Sequence, residues 1–504
     1  RRSPGSGVPS TMPSELDGHW RLAMRESLRT DRTLRVSTWT LAKIAESVDG
    51  RLNHTDRAPV TPRAVSTDTR TLQQGDLFFA LRGERFDGHD FLEEAVSAGA
   101  SGLVVEADDG DVDESVPTVL VDDTTVALGR LGAGIWSEAT DDGLHSIAVT
   151  GSNGKTTTKE LLATLWSGLG AVHATPGNLN NAVGLPLTLC GLPVEADVSI
   201  LEMGANAPGE IRELIAMAPA AQRIITSIGY AHTAGFGSIE GVRRAKSEIA
   251  ESADADAQVI VPHGERPRLS VDSGPARVVT FGEDSEADIR VVGYEPSESG
   301  GARVRLAGLG RQLQVQLGLP GRHNARNLAA ALATLWLRDI DPEPGSVRRL
   351  KDSLDLPAGR WREVEVAGHR IVDDAYNANP SSVRASAEAF IEWAAAGDRR
   401  RVVVLGTMLE LGDSARQHHE RVAADLADNE ELDDLVFVGD HAEAMVRAAE
   451  SADRPSLNVH RMTGADAVAE WLGSTDPAAV LLKGSRGAGL EAVIELLESG
   501  SADD

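Results

Sequence analysis

The sequence predicts an α/β protein made of three consecutive domains. Short apolar strands alternate with helices between residues 145 and 262, and a second alternating series begins after about residue 355. Such alternation is typical of mostly parallel sheets covered by helices on both faces. A glycine-rich turn also follows the strand "SIAVT" directly. Glycine turns between a strand and a helix surround anions with backbone N–H groups, so this turn predicts a phosphate loop.

Composition excludes several classes of protein. The 504 residues carry a net charge of −28, which argues against a nucleic-acid-binding surface. The single cysteine, Cys190, allows no intrachain disulfide and favours a reducing compartment. The first residues lack the apolar core of a signal peptide, and no apolar run approaches the ~18 residues of a membrane span. We therefore expect a cytoplasmic protein with no membrane insertion.

Residues 1–34 are predicted to form a flexible tail, and residues 35–122 a small α/β domain. Its first helix, in "STWTLAKIAESVDG", has Ser37 or Thr38 as its predicted cap. A strand, a helix and a strand follow, in "GDLFFAL", "DFLEEAVSAGA" and "SGLVVEA".

The predicted central domain covers residues 123–354 and the predicted C-terminal domain residues 355–504. Central strands are expected in "SIAVT", "ADVSIL", "RIITSIG" and "AQVIV", followed by an antiparallel flap over 276–318 and a helix in "GRHNARNLAAALATLWLRDI". The C-terminal strands are expected in "HRIVDDAY", "RRVVVLG", "DLVFVGD" and "AVLLKGS".

The segment "GSNGKTTTK" is a short relative of the nucleotide phosphate loop. Its glycines, Gly151 and Gly154, would let N–H groups close around phosphate oxygens. Lys155 would contact the β- and γ-phosphates, and the Thr156 hydroxyl would reach Mg²⁺. The alternative is an ordinary glycine turn before a helix.

Glu202 and His232 follow strands of the same predicted sheet. Ligands of such sheets gather beyond the carboxyl ends of the strands. The Glu202 carboxylate can hold Mg²⁺ directly or through water, and His232 can bind a metal or hydrogen-bond phosphate. The alternatives are a Glu202 that caps a helix or pairs with arginine, and a purely structural His232.

Lys246 stands out because only six of the 49 basic residues are lysines. A charged amine among Mg²⁺ ions would be repelled, whereas an amine carbamylated by CO₂ becomes a carboxylate-like metal ligand. The alternative is a surface lysine paired with Glu248 or Glu251.

The chain resembles the Mur ligase family over roughly residues 37–495. Nine blocks come in the order of that family: "TGSNGKTTTKE", "TPGNLNNAVGLPLTL", "LEMGANAPGEI", "IGYAHTAGFGS", "AKSEI", "LPGRHNARNLAAALA", "DDAYNANPSSVRASAEAF", "LGTMLELG" and "LKGSRG". "NLNN", "EMGAN" and "DDAYNANP" resemble the branch of the family that adds D-alanyl-D-alanine to UDP-N-acetylmuramoyl-tripeptide. The resemblance implies an ATP-dependent amide ligase of cell-wall precursor synthesis that works through an acyl phosphate.

The resemblance also implies a role for each domain and a set of site residues. The domains would be a UDP-muramoyl-binding domain, a central phosphate-loop ATPase domain and a C-terminal Rossmann-like domain. Two Mg²⁺ ions would be held by Thr156, Glu202, His232 and carbamylated Lys246, and the catalytic residues would be Lys155, Glu202, His232 and Lys246. The ATP-binding residues would be Gly151, Ser152, Asn153, Gly154, Lys155, Thr156, Thr157, Asn324, Asn327, Arg360, Asp373, Tyr376 and Asn377. The acceptor-binding residues would be Thr67, Asp68, Arg70, Thr175, Asn178, Asn180 and Asn181.

Some residues depart from the usual family pattern, and alternatives remain open. Thr69, Ser247 and Thr407 replace residues that are common at their positions in the family. A sister ligase that adds diaminopimelate or lysine, a polyglutamate-adding enzyme and a non-ligating phosphate-loop protein are the alternatives. The sequence does not indicate the oligomeric state, and we expect a monomer.

Overall fold

The structure is a computed structural model that describes residues 32–53, 59–83, 86–107, 116–251, 253–271, 276–297, 300–352, 354, 356–395 and 397–500. Residues 1–31 of the predicted tail therefore lie outside the described residues. The chain forms two compact units. One reaches Ile135 and includes Pro176–Leu179 and Pro186–Glu195, and the other contains the remaining residues after Ile135. The predicted domain boundaries stay predictions.

Strands and helices alternate between residues 145 and 262 and again after residue 355, as predicted. The strands are β1 Arg51–Leu52, β2 Val65–Ser66, β3 Leu77–Phe79, β4 Gly102–Glu106, β5 Thr118–Val121, β6 His145–Thr150, β7 Val172–Ala174, β8 Val198–Glu202, β9 Gln222–Ile225, β10 Gln258–Pro262, β11 Arg277–Gly282, β12 Ile289–Pro296, β13 Ala302–Gly308, β14 Arg311–Leu317, β15 Arg362–Val366, β16 His369–Asp373, β17 Arg400–Leu405, β18 Asp434–Val438, β19 Asn458–Met462 and β20 Ala478–Lys483. The α-helices are α1 Leu41–Ser47, α2 Leu92–Ser97, α3 Thr124–Asp141, α4 Lys155–Trp166, α5 Gly184–Cys190, α6 Glu210–Met217, α7 Thr233–Phe236, α8 Ile239–Ser247, α9 Arg322–Trp336, α10 Pro344–Asp352, α11 Pro380–Ala394, α12 Ala415–Ala427, α13 Ala442–Glu450, α14 Ala465–Gly473 and α15 Ala492–Gly500. Short 3-10 helices occur at Arg35–Thr38, Gly88–Phe91, Glu248–Ala250, His263–Arg268, Gly412–Ser414 and Arg486–Ala488.

The first unit contains a small sheet in the order β1-β5-β4-β3-β2. Only β1 pairs antiparallel with its neighbour, and the other pairs are parallel. The predicted cap of the first helix is wrong. Ser37 and Thr38 lie in a 3-10 turn, and Thr40 caps α1 by accepting a hydrogen bond from Lys43 N at 3.3 Å. Several Ser and Thr residues precede this helix, so the sequence alone does not choose among them.

The second unit contains a nine-stranded sheet in the order β14-β13-β12-β11-β10-β9-β6-β8-β7. The pairs from β7 to β12 are parallel, whereas β12, β13 and β14 pair antiparallel. The antiparallel flap predicted over 276–318 is therefore confirmed for β12 to β14 and wrong for β11, which continues the parallel part of the sheet. Helix α9 packs on this sheet because its alanines and leucines are buried against α4. The small alanine side chains permit the close approach of these two helices.

The same unit contains a six-stranded sheet in the order β15-β16-β20-β17-β18-β19. All pairs except β15–β16 are parallel, and apolar cores lie on both faces of the sheet. This arrangement confirms the predicted C-terminal α/β series. Among the described residues, no helix combines the length and apolar character needed to cross a bilayer.

Candidate active site

The glycine loop joins β6 to α4, as predicted. Gly151 has φ +146° and Gly154 has φ +81°, conformations that L-residues with a side chain rarely adopt. A Cβ atom at Gly154 would also overlap the Asn327 amide, and one at Gly151 would overlap Thr226. The loop therefore requires both glycines, and it ends at the N-terminus of α4, where the helix dipole favours an anion.

Lys155, the first residue of α4, lies next to this loop. Its Nζ donates a hydrogen bond to Gly151 O at 2.9 Å. Burial and the charge of Arg360 lower the pKa of Lys155, whereas Glu202 acts in the opposite direction. The amine thus lies near one carboxylate and one guanidinium, a mixed environment suited to a group that contacts phosphate.

Glu202 ends β8 and is only 2% exposed. Each of its carboxylate oxygens accepts one hydrogen bond. Thr156 Oγ1 donates to Oε2 at 2.9 Å, and Asn180 Nδ2 donates to Oε1 at 2.8 Å. Among the described residues the carboxylate has no arginine partner, so that alternative is excluded. A buried carboxylate held in this way has a fixed orientation beside the phosphate loop.

A second layer of bonds fixes the backbone of Glu202. Glu202 N donates to Thr175 Oγ1 at 2.9 Å, and the buried Lys159 donates to Thr175 O at 2.7 Å. Lys159 also pairs with Glu160 at 2.8 Å. Lys159 was not a predicted site residue, although its position four residues after Lys155 places it on the same face of α4.

We expect Asn180→Ala to reduce activity about 10–100-fold, because it removes the donor that orients the carboxylate of Glu202, a predicted ligand of Mg²⁺. Mn²⁺ binding with a non-hydrolysable ATP analogue, followed by electron paramagnetic resonance, should weaken in parallel. Asn458→Ala, at an exposed asparagine of β19, is the matched control. Unchanged Mn²⁺ affinity in Asn180→Ala would contradict this role.

His232 precedes α7 in a left-handed conformation, with φ +53°. Its Nδ1 contacts the carboxylate of Glu410, a residue that the sequence analysis did not single out. The contact with His232 lowers the pKa of Glu410. A histidine whose Nδ1 is held by a carboxylate presents Nε2 to a ligand, and this is the usual arrangement of metal-binding histidines.

Lys246 lies on α8 and is 1% exposed, so the surface alternative is wrong. Within the described part of the chain its amine has no hydrogen bond or ion pair, although it lies 5.5 Å from the centre of the Phe236 ring. Burial and the charge of Lys155 lower the pKa of Lys246 to about 7, against opposing contributions from Glu210 and Glu248. A buried amine that is readily deprotonated has the properties that reaction with CO₂ requires.

The other predicted nucleotide residues surround the same loop. Ser152 Oγ donates to Gly229 O at 3.1 Å, while Thr157 is half-buried on α4. Asn324 and Asn327 are buried in the first turns of α9. Asn324 Nδ2 bonds Pro320 O at 2.7 Å, and Asn327 adjoins Gly154. Their contact with adenine stays a prediction.

Two guanidinium groups lie near the ring of Tyr376, that of the predicted Arg360 and that of Arg486, which was not predicted. The guanidinium of Arg360 lies 4.3 Å from the centre of the Tyr376 ring, and that of Arg486 lies 5.8 Å from it. Asp373 ends β16, and burial raises its pKa. Asn377 is exposed, and its backbone carbonyl accepts a hydrogen bond from Lys483 at 2.5 Å.

The predicted acceptor residues fall in both compact units. Thr67, Asp68 and Arg70 follow β2 in the first unit, and Arg70 holds Asp68 through two bonds of 2.8 and 2.7 Å. The exposed Asn178 also belongs to the first unit, whereas Thr175, Asn180 and Asn181 belong to the second. Asn181 caps α5 by accepting a bond from Gly184 N at 2.8 Å. Their binding roles stay predictions.

The residues present fit magnesium that arrives with a nucleotide. Thr156 and Glu202 offer hard oxygen atoms 2.9 Å apart at the mouth of the phosphate loop. Across the described ranges, no group of three or more His, Cys, Asp and Glu side chains could hold a metal by itself. Mg²⁺ commonly uses one or two carboxylates together with substrate phosphates and waters, so a complete protein cage is not needed.

Three family models match most of the chain. They describe the Mur ligase family catalytic domain at residues 62–135, the Mur ligase middle domain at 149–335 and the Mur ligase glutamate ligase domain at 359–486.

Whole-chain relatives agree with these matches. The UDP-N-acetylmuramoyl-tripeptide–D-alanyl-D-alanine ligase of Bacillus subtilis is 34% identical over 91% of this chain and 98% of its own length. The Escherichia coli protein of the same name is 31% identical over the same shares. A crystal structure of MurF from Acinetobacter baumannii has a TM-score of 0.80 at 32% identity and covers 92% of this chain and 99% of its own. MurF from Thermotoga maritima, solved with ADP, has a TM-score of 0.72 at 26% identity, over 86% of this chain and 97% of its own.

Proposed function

This chain belongs to the Mur ligase family, and on that premise we propose that it joins D-alanyl-D-alanine to UDP-N-acetylmuramoyl-tripeptide at the expense of ATP. The observation that carries the proposal is the assembly of the half-buried Lys155 with the buried Thr156 and Glu202 at a glycine loop, in a chain similar over most of its length to ligases of that name. The reaction belongs to the synthesis of peptidoglycan precursors, and we propose a cytoplasmic monomer.

The reaction needs an activated carboxylate, because a free carboxylate is a poor electrophile at neutral pH. A carboxylate oxygen of the tripeptide attacks the γ-phosphorus, ADP leaves, and an acyl phosphate forms. The dipeptide amine then attacks the acyl carbon, phosphate departs, and the nitrogen loses a proton. Lys155 and the N–H groups of the glycine loop hold the phosphoryl oxygens and oppose their charge, so no covalent protein nucleophile is needed.

We propose that Thr156, Glu202 and His232 hold Mg²⁺ near the phosphates. The hydrogen bond from Asn180 and the contact with Glu410 support this assignment, because each leaves the ligand side chain in one orientation. When bound, Mg²⁺ lowers the energy of the charge that develops on the transferred phosphoryl group.

We propose that Lys246 is carbamylated and serves the second Mg²⁺. The amine nitrogen would attack the carbon of CO₂ and lose a proton, which converts a buried cation into an anion. Two observations on Lys246 support this reaction: its amine is buried, and it has no hydrogen-bond partner among the described residues. The Lys155 ammonium also supports it, because Lys155 repels the cationic amine and would attract the carbamate anion.

Competition between acceptors tests the proposed substrate. The protein is incubated with ATP, Mg²⁺ and equal amounts of UDP-N-acetylmuramoyl-tripeptide and UDP-N-acetylmuramoyl-dipeptide, together with equal amounts of D-alanyl-D-alanine, diaminopimelate and lysine. We expect a single product that is heavier by the dipeptide residue. A product of UDP-N-acetylmuramoyl-dipeptide and one amino acid, in place of this one, would indicate a sister ligase.

A further inference from the structure

The start of α11 lies directly against the glycine loop. Asn153 is in the middle of the loop and Asn379 is the N-cap of α11, and their amides form a reciprocal pair. Asn379 Nδ2 donates to Asn153 Oδ1 at 2.6 Å, and Asn153 Nδ2 donates to Asn379 Oδ1 at 3.2 Å. Asn153 Nδ2 also donates to Ser381 Oγ at 3.0 Å. The C-terminal sheet's first helix is thus bonded to the residue between the two loop glycines.

Asn379 also starts the helix. Its Oδ1 accepts a bond from Ser382 N at 2.9 Å, while Ser382 Oγ accepts a bond from Asn379 N at 2.9 Å. The side chain is 4% exposed. Because one amide both caps α11 and holds the loop, the position of the helix and the conformation of the loop depend on each other.

Neighbouring residues also contact each other where the start of α11 lies against the glycine loop. A Cβ atom at Gly229 would overlap Ser381 Oγ, so glycine allows the close approach. Further along, Ala234 N donates to Glu410 O at 3.0 Å and Thr233 Oγ1 donates to Leu411 O at 3.4 Å. The segment after β9 therefore meets C-terminal residues at several points, and the amide pair is the contact that reaches the phosphate loop itself.

We propose that Asn379 is a positioning residue, which uses its amide pair with Asn153 to hold the C-terminal α/β series over the glycine loop while the acyl phosphate exists. This inference rests on the proposed function. The acyl phosphate reacts with water as well as with an amine: water adds, phosphate leaves, and the original carboxylate returns. A closed site prevents that loss, so the pair keeps ATP use coupled to bond formation.

The chemistry of the pair offers a selective test. An amide is both a donor and an acceptor, so a hydroxyl cannot reproduce both bonds with Asn153. Asn379→Ser keeps a good helix cap and loses the Nδ2 donor. Ser382→Ala removes the other half of the capping box and leaves the amide pair, and is the matched control.

The measurement is the amount of phosphate released per amide bond formed, with ATP and both substrates saturating. Loss of one net hydrogen bond should reduce the closed population about 3–10-fold, and we expect the phosphate-to-product ratio of Asn379→Ser to rise correspondingly. The ratio for Ser382→Ala should stay at the wild-type value. Adding Asn153→Ser to Asn379→Ser should raise the ratio no further, since the pair is already broken.

A wild-type ratio in a folded Asn379→Ser variant, with an unchanged melting temperature, would overturn the inference. An equal rise in Ser382→Ala would also overturn it, because the helix cap and not the amide pair would then be responsible. Failure of the proposed function would look different, since the wild-type protein itself would form no amide product.

Discussion

Lys155→Met is expected to abolish ATP-dependent ligation, with a loss of at least about 100-fold in kcat/KM. The amine of Lys155 lies against the carbonyl of Gly151 in the loop and close to Glu202, where it can oppose charge on the transferred phosphoryl group. Lys155→Arg should also be impaired, because a planar guanidinium cannot replace a compact ammonium in this confined loop. Steady-state release of phosphate and binding of a fluorescent ATP analogue are the measurements.

Lys351→Met provides the control for this experiment, because Lys351 is an exposed lysine near the end of α10. The activity of Lys351→Met should equal that of the wild type. The two variants, Lys351→Met and Lys155→Met, should have the same melting temperature. Near-normal turnover in Lys155→Met would remove the assignment of the glycine loop to ATP.

Lys246→Ala is expected to lose turnover by about 100-fold, because the buried side chain that we propose as a carbamate ligand of the second Mg²⁺ disappears. Added formate or acetate should restore part of the rate by supplying the missing carboxylate. In the wild type, ¹³C-labelled CO₂ should give a carbamate signal by nuclear magnetic resonance that Lys246→Ala lacks.

Lys246→Arg separates carbamylation from a requirement for positive charge. Arginine keeps the charge but its guanidinium stays protonated and is not carbamylated, so this variant should remain inactive with or without added carboxylate. Wild-type activity in Lys246→Arg, or the lack of any carbamate signal in the active wild-type enzyme, would argue against the modification.

Local patterns predicted the parallel sheets because strands such as β6, β8, β17 and β18 are apolar runs bounded by glycine or a polar turn. "SIAVT" and "RIITSIG" became adjacent parallel strands, and the family predicted from nine blocks is confirmed. The phosphate loop could likewise be predicted from local chemistry, because the loop glycines and the first residues of the helix are adjacent in the sequence. The choice of cap for α1 failed for the opposite reason, because several hydroxyl residues compete there.

Contacts between distant residues could not be predicted in this way. Asn153 and Asn379 are 226 positions apart, and no local period relates His232 to Glu410. The residues of each pair occur within the blocks that indicated the family, but no sequence pattern connects one residue to its partner. Lys159 was also missed, because a buried lysine that bonds a backbone carbonyl looks like any other helical lysine. The structure also shows that Lys246 is buried. The sequence only drew attention to this residue, because lysine is rare in the chain.

The most direct test of the ligase assignment is phosphate release from ATP with UDP-N-acetylmuramoyl-tripeptide and D-alanyl-D-alanine, supplied together, singly and not at all, with the product mass measured. We expect sustained release only when both are present, and a product heavier by the dipeptide residue. Equal release with neither substrate, and no heavier product, would mean that the glycine loop serves a different ATPase and would contradict the account.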